Sequence, residues 1–553
     1  SPYRNHAEDW LPRLYVPSDT SENNSEHYPG GYVLRMDADG TNREIITGGL
    51  RNAYDIAFDR DGELFTFDNE MERDWGLPWY HPARVCHCVS GAEFGWRHER
   101  GKWSARNEDS LPPVIEIGIG APTGISFGYG CRFPKRYEQA LYVMDWAEGR
   151  ILALHLQPQG ASYQAEAETF LRVKSQADGE FSQPFNVTDL TVGKDGALYF
   201  IVGGRNARGA LYRIRYVGDE TTEQPKNDPD AGEVARTIRH QLEAFHGHVD
   251  PKAVETAWPV LSSQDRFLRT AARLAIENQP VEQWRDKALA ETEFQSAALA
   301  LLALARVGNE IDRRLVLEAI AKLPAENQPA SQQQIYLRTC TVALTRCQGE
   351  ISQELKSSLE QALDSVYSAE AADSIQREIL ALWVCLRSER AIEQGMYLIE
   401  QAPTRQSLLY YLNHLTKLPS ECWTVEQYAQ FLRMFDKNRL NVVPSEPCLQ
   451  DWSEQVGRDS SDGAAGNELL LLMFWDAVEN CSGNYRDELS SVIVEVGNSI
   501  VPRLNASSDL RVIKNWQVDD LLPLFDRELT GRNYGQGRRA FINAQCVQCH
   551  QVG

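Results

Sequence analysis

No stretch of this 553-residue chain stays apolar for the roughly 18–20 residues that a membrane-crossing helix needs, which excludes such a span. Positive charge is in short supply: 56 Lys and Arg stand against 78 Asp and Glu, a net charge of −22. A body this acidic repels nucleic acid and anionic lipid, so neither is an expected partner. Cysteine is sparse and scattered, at positions 86, 88, 131, 340, 347, 385, 422, 448, 481, 546 and 549, which is not the pattern of a small disulfide scaffold. Cys340, Cys347 and Cys385 fall on helical faces and are expected to be buried as small hydrophobes. The regular ligand spacing of an EF-hand is missing, and no hydrolase nucleophile of the Gly-x-Ser-x-Gly kind is expected. Apolar content of 42% and charged content of 24% are those of a folded protein, and the length asks for roughly two to four domains.

The most informative run is at the end of the chain, where Cys546-Val-Gln-Cys549-His550 spells C-x-x-C-H. Two thiols at this spacing reach both vinyl groups of one haem, and the adjacent histidine can take an axial position on the iron. Haem c on Cys546, Cys549 and His550 is the expectation, with His550 the metal ligand. A thiol-exchange pair is the alternative, but it would want a preceding strand in a βαβ setting; here a helix-compatible run with Phe541 and Ile542 leads in. Covalent haem implies an extracytoplasmic, periplasmic or secreted location and a redox partner protein or quinone. The chain opens on Ser1-Pro2-Tyr3-Arg4 and stops three residues after His550, so a fragment is expected, its signal peptide lost with the missing start.

Upstream, residues 1–218 read as β structure. Short apolar or alternating runs such as Ala53–Phe58, Glu63–Phe67, Ala140–Asp145 and Val187–Val192 are punctuated by turn signals. The unit Asp-Gly-x-Leu-(Phe/Tyr) occurs at 61–65 and again at 195–199, a turn that glycine permits followed by a strand. Repeated hairpins of this kind point to propeller blades, about four of them, with a β-sandwich as the alternative. Residues 219–232 are a polar, proline-bearing linker. Beyond it the hydrophobic period changes from two to about 3.6. Phe267, Leu268, Ala271, Ala272, Leu274 and Ala275 line one side of a helix whose Arg266, Arg269 and Arg273 spread around a polar part. Leu304, Leu344 and Leu386 close comparable helices about 40 residues apart, the spacing of HEAT or armadillo pairs, with an unrepetitive helical domain as the alternative. Asp451 to Asn467 reads as an exposed loop, Tyr485 to Val496 as one helix, and 526–553 as the start of a cytochrome c domain. The expected fold is therefore multidomain: a partial β-propeller (1–218), a linker (219–232), an all-α HEAT/armadillo-like solenoid (233–525) and the first helix of a truncated cytochrome c domain (526–553).

Four stretches carry a family resemblance: Ala53-Tyr-Asp-Ile-Ala-Phe-Asp with Asp61–Asp68, Asp74–Val85, Ser90–Arg97 and Leu198–Arg205. With the C-x-x-C-H end they make the chain similar to the large haem-binding proteins of planctomycetes. Those join a glucose/sorbosone dehydrogenase-like propeller, HEAT-like repeats and a C-terminal cytochrome c domain. The resemblance implies pyrroloquinoline quinone (PQQ) and calcium in the complete propeller and oxidation of a sugar hydroxyl or aldehyde, so a carbohydrate substrate is a candidate partner. Asp68-Asn69 is similar to the family's acidic strand end, and Gly91–Trp96 to its Gly-x-x-Tyr-Gly-Trp element, with Phe94 in the tyrosine position. The family's catalytic histidine has no counterpart that can be matched here.

The residues themselves leave each role open. Asp68, Asn69, Glu70, Glu72 and Asp74 could offer oxygen ligands to calcium or form a solvated acidic rim. Arg84, Arg97 and Arg205 could grip an anionic quinone or pair with those carboxylates. Trp75, Trp79, Tyr80 and Trp96 could stack on a flat ligand or simply fill blades. His81, Cys86, His87 and Cys88 could bind zinc or copper or leave a free thiol pair; alternation along a strand sets His87 on the face opposite Cys86 and Cys88 and weighs against a shared metal site. Two functions compete: an electron-transfer protein coupled to a sugar or aldehyde dehydrogenase-like propeller, and a non-catalytic binding or scaffold protein recognising carbohydrate or protein. Convergence of Asp68, Arg84, Trp96 and Arg205 on one pocket would favour the first, and their dispersal would sink it.

Overall fold

The structure, a computed structural model, describes residues 31–71, 80–96, 105–172, 185–204, 207–222, 232–456, 463–481 and 483–500. Its strands are β1 (Gly31–Arg35), β2 (Glu44–Leu50), β3 (Ile56–Phe58), β4 (Leu64–Asp68), β5 (Ala83–His87), β6 (Ala92–Glu93), β7 (Ile115–Gly118), β8 (Pro122–Phe127), β9 (Leu141–Asp145), β10 (Arg150–Gln159), β11 (Ser162–Arg172), β12 (Val187–Val192), β13 (Leu198–Gly204) and β14 (Ala207–Ile214). They build four sheets, in the orders β1-β2-β6, β3-β4-β5-β7, β8-β9-β10-β11 and β12-β13-β14. The last three are antiparallel meanders whose first strands lie side by side, β3 on β8 and β8 on β12, so the sheets fan out from a common edge. The described strands do not close into a ring. The first sheet departs from the expected hairpin repeat, because β6 returns parallel to β2 with Thr47 opposite Ala92 and Gly48 opposite Glu93.

Both Asp-Gly turns form as the sequence leads one to expect. Gly62 and Gly196 sit at positive φ, 87° and 75°. Asp59 Oδ1 accepts the Asp61 and Glu63 amides, and Asp195 Oδ1 that of Ala197. The strands they feed are buried on two faces, and the period of two assigns side chains to successive interfaces. On β9, Leu141 and Val143 join a core with Phe65, Phe127 and Leu154, while Tyr142 and Met144 join the next with Val187, Leu198 and Phe200.

From Glu233 to Ile500 the described chain is helical. Arg266–Glu277, Phe294–Val307, Ala330–Arg346, Asp373–Cys385 and Arg405–Leu415 form a layer in which each helix packs on the next. The intervening helices Glu310–Ile320, Gln353–Val366 and Glu389–Gln401 pack across them. Phe294–Val307 is apolar around its whole circumference because it is enclosed on all sides. Asp265 caps the first of these helices through the Phe267 and Leu268 amides, and its second oxygen accepts Ala161 N–H, fixing the helix start to the β10–β11 turn.

Three expectations are corrected. Arg266, Arg269 and Arg273 do not face water: Arg269 and Arg273 are buried and Arg266 is 20% exposed at its side chain, because the β part covers this side of the helix. Asp451 to Asn467 is largely helical, taken up by Pro447–Val456 and Gly463–Glu479. Tyr485 to Val496 is split between Gly483–Glu488 and Ser490–Ile500. Of the three helix-face cysteines, Cys340 is buried, Cys347 half-buried and Cys385 exposed. No helix among the described residues is long and apolar enough to cross a membrane.

Candidate functional site

Asp68 and Arg84 meet in register at the ends of β4 and β5, both buried. Arg84 Nη2 and Nε donate to Asp68 Oδ2 at 3.0 and 3.2 Å, while Oδ1 accepts the Arg51 and Asn52 amides at 2.8 and 3.0 Å. The same guanidinium reaches Phe94 O at 2.9 Å and Gly49 O at 3.3 Å, with the Phe94 ring 5.6 Å away. This pair therefore fastens the β2 end and the Gly91–Trp96 loop to the second sheet. A carboxylate accepting four hydrogen bonds has no face free for calcium, which takes about six to eight oxygens, and the guanidinium fork is already occupied by protein acceptors.

The described neighbours do not supply the missing ligands. Glu70 accepts Gly120 N–H at 3.3 Å, and Asn69 Oδ1 is a buried acceptor without a hydrogen-bond partner. Tyr80 packs on Leu449 and Ile119, serving the contact with the helical part, and His81 forms a backbone bridge with Met71. Trp96 is half-buried, its amide bonded to Gly49 O. Among the described residues no group of three or more His, Cys, Asp or Glu is placed to hold a metal. The described residues do not fit a quinone–calcium centre at this strand end. Glu72, Asp74, Trp75, Trp79, Arg97, Arg205, Cys546, Cys549 and His550 lie outside the described residues.

Sequence reasoning missed a concentrated polar cluster. Glu63, immediately before β4, is buried and points its Oε2 at His87 Nε2 (2.8 Å), whose Nδ1 meets Ser162 Oγ at 2.9 Å. Glu63 Oε1 pairs with Arg239 Nη2 and lies 3.1 Å from His240 Nε2. Arg236 sits 3.8 Å from the same oxygen and over the Tyr163 ring at 4.9 Å. The His87 ring stacks on Phe65 at 4.9 Å, while Cys86 and Cys88 project into the opposite core, as strand alternation requires. Burial alone would raise Glu63, but His87 and Arg239 hold it at about 2. Burial, outweighing the Glu63 contact, lowers His87 to about 4. At neutral pH the carboxylate is charged against Arg239 and the imidazole is neutral, donating to Glu63 and accepting from Ser162. The Ser–His–Glu order resembles a hydrolytic triad, yet all three groups are buried, His87 completely, so no substrate reaches the hydroxyl. The available signal was face alternation: Glu63 shares its strand face with Phe65 and Phe67, so it had to point inward.

A second run has the letters of a nucleophile elbow, Gly124-Ile-Ser126-Phe-Gly128, contrary to expectation. Ser126 lies inside β8 opposite Tyr142, rather than on a sharp strand-to-helix turn.

Polar seams tie sheets to helices. Glu108 accepts Arg269 Nε and Nη2 at 2.7 and 3.0 Å. Asp109 accepts Arg338 Nε and Nη2, each at 3.0 Å, and Arg306 Nη1 at 3.4 Å.

No family model matches the chain, and no curated protein matches it. Two solved structures are similar in part. One is an oxidoreductase (glucose dehydrogenase) of Thermus thermophilus, 22% identical over 31% of this chain and 47% of that one, TM-score 0.24. The other is the PQQ-bound form of an aldose sugar dehydrogenase from Streptomyces coelicolor, 18% identical over 33% of this chain and 51% of that one, TM-score 0.25. The chain thus matches about half the length of each.

Proposed function

We propose that this chain is the body and haem-attachment segment of an extracytoplasmic c-type haem protein that carries electrons. The Cys546-Val-Gln-Cys549-His550 run is the observation that carries this reading. Cys546 and Cys549 would hold the haem covalently and His550 would ligate its iron; the group would supply one-electron transfer to a redox partner protein or quinone. Residues 1–218 are propeller blades, 233–525 HEAT-like repeats and 526–553 the opening of a cytochrome c domain. The stacking of alternate helices supports the repeat assignment. Haem attachment on the oxidising side implies a periplasmic or secreted protein. The test is export of the full-length protein in a host that matures c-type cytochromes, followed by spectroscopy and acid–acetone extraction. A haem spectrum that survives extraction is expected; a colourless product, or one bleached by extraction, overturns the proposal.

A second reading of the sheets is favoured by the Asp68–Arg84 pair, whose hydrogen-bonding capacity is already used within the fold. In that reading they form a binding or scaffold surface for carbohydrate or protein, not a dehydrogenase using PQQ and calcium. Sugar- or aldehyde-driven reduction of the haem in protein loaded with PQQ and calcium would refute it. Absence of reduction with haem still attached would sustain it.

A further inference from the structure

We propose that the open edge of β14 (Ala207–Ile214) docks an extended acidic segment of a partner protein, which adds a fourth strand to its sheet. The inference rests on the binding-surface reading of the sheets and narrows it to one strand and one partner chemistry. It does not depend on haem or on PQQ.

The two sheets before it each have four strands, ending on β7 and β11, whereas this one stops at three. β14 pairs with β13 along its inner side, from Ile214 opposite Leu198 to Ala207 opposite Gly204, and no described strand pairs with its outer side. Along such an edge alternate residues turn their N–H and C=O groups outward, a template that another chain can complete. Edges that stay single are often short or carry proline; β14 has eight residues and no proline. Its surface is uncovered too. Leu211 lies opposite Ile201, and the two are 68% and 45% exposed. Apolar side chains on an added strand cover both.

Charge selects the occupant. Arg208, Arg213 and Arg215 are all exposed, in a chain whose net charge is −22. Arg213 pairs with Asp195 and lies over the Tyr199 ring at 5.7 Å. Among the described residues no carboxylate pairs with Arg208 or Arg215. A second copy of β14 laid against the first would bring arginines close to arginines, so these side chains keep the edge from pairing with itself. Carboxylates on an incoming strand remove that repulsion and meet two unpaired guanidiniums.

The probe is a fluorescent peptide of about eight residues, alternating Glu and Val to match the length of β14, titrated into the full chain at low salt and followed by anisotropy. Saturable binding is expected, with hydrogen exchange slowed across Ala207–Ile214. The double variant Arg208→Glu, Arg215→Glu should weaken it about tenfold, and so should lysine in place of glutamate in the peptide. Full N-methylation of the peptide keeps its charge but removes its N–H donors, and should cost at least about tenfold. Arg433→Glu, on the helix Val425–Arg433, should bind like the parent. The proposal is overturned if the acidic peptide does not saturate the protein, if the lysine peptide binds as tightly, or if the N-methylated peptide does, the sign of a charge contact without strand pairing. Such a failure leaves the binding-surface reading itself to the haem-reduction test, which reads a different signal.

Discussion

Replacing Glu63 by glutamine keeps the shape of the side chain and removes one charge from the buried network. Arg239, 1% exposed at its side chain, then faces an amide that can still accept a hydrogen bond but no longer neutralises it. Removing one partner of such a buried pair costs about 3–5 kcal/mol. Acid dependence supplies an independent check. In the native protein Glu63 titrates near 2 against an ordinary 4.5, and His87 near 4 against 6.5. Both shifts mean that the folded state binds fewer protons than the unfolded chain. The stability they contribute is complete above about pH 6.5; the His87 share is lost as pH falls from 6.5 to 4, the Glu63 share from 4.5 to 2. Glu63→Gln has no Glu63 share to lose, so its deficit should be largest near pH 7 and should narrow below pH 4.5. Urea unfolding followed by tryptophan fluorescence at pH 7, 5 and 4 measures this, with Glu168→Gln as a partly exposed comparator expected to cost about 1 kcal/mol or less. A Glu63→Gln deficit under about 1 kcal/mol at pH 7, or one that widens on acidification, would refute the assignment of this carboxylate as the counter-charge of Arg239.

Three further outcomes can be measured on the same footing. Asp68→Asn should lower stability by about 3–5 kcal/mol, equally with and without added calcium; calcium-dependent stabilisation that this substitution abolishes would restore a ligand role. Glu243→Gln should act in the opposite sense: burial raises this carboxyl to about 7, so the native protein loses stability as pH climbs from 4.5 to 7. The variant should therefore be more stable at pH 8, by up to ~3 kcal/mol, and equal to the parent near pH 4.5, as thermal melts would show. Gly91→Ala should destabilise by about 1–3 kcal/mol, because φ is +75° and the new Cβ would lie 2.4 Å from Leu274 Cδ1. Leu274→Ala in the same chain should recover part of that loss, a coupling that a double-mutant cycle would expose.

What the sequence disclosed followed from local rules. Strands appeared where alternation was strong, as at Leu141–Asp145 and Val187–Val192, and both Asp-Gly turns formed because their chemistry is contained within about five residues. Ser162–Arg172 escaped notice since its outer face carries Gln164, Glu166 and Glu168 and only the small Ala165 and Ala167 stand between them, which weakens the apolar alternation. Helix Pro447–Val456 and the start of Gly463–Glu479 were mistaken for a loop because Asp, Ser and Gly weigh against helix, although packing of Leu449, Leu469 and Leu470 decides otherwise. At the strand end, the sequence placed Asp68 and Arg84 close together but could not tell a pair that closes on itself from one that waits for a ligand. That difference lies in the Arg51 and Asn52 amides and in the carbonyls of Gly49 and Phe94, backbone groups with no signature in residue type.

The helix arginines show the deeper limit. A charged stripe on an amphipathic helix looks the same whether it meets water or an acidic loop more than 150 residues earlier in the chain. Here it meets the loop. Asp109 accepts from Arg306 and Arg338, which belong to two successive helices of the packed layer, while Glu108 accepts from Arg269 on the helix before them. Buried ion pairs of this kind are weak sources of net stability, since desolvation offsets most of their attraction. Their stronger effect is on register. Sliding the helical layer by one turn, about 5.4 Å, would strand three guanidiniums and two carboxylates away from water at once. Apolar packing alone, between surfaces rich in Leu and Ala, discriminates poorly among such slides. The acidic loop therefore selects one docking of the sheets on the helices.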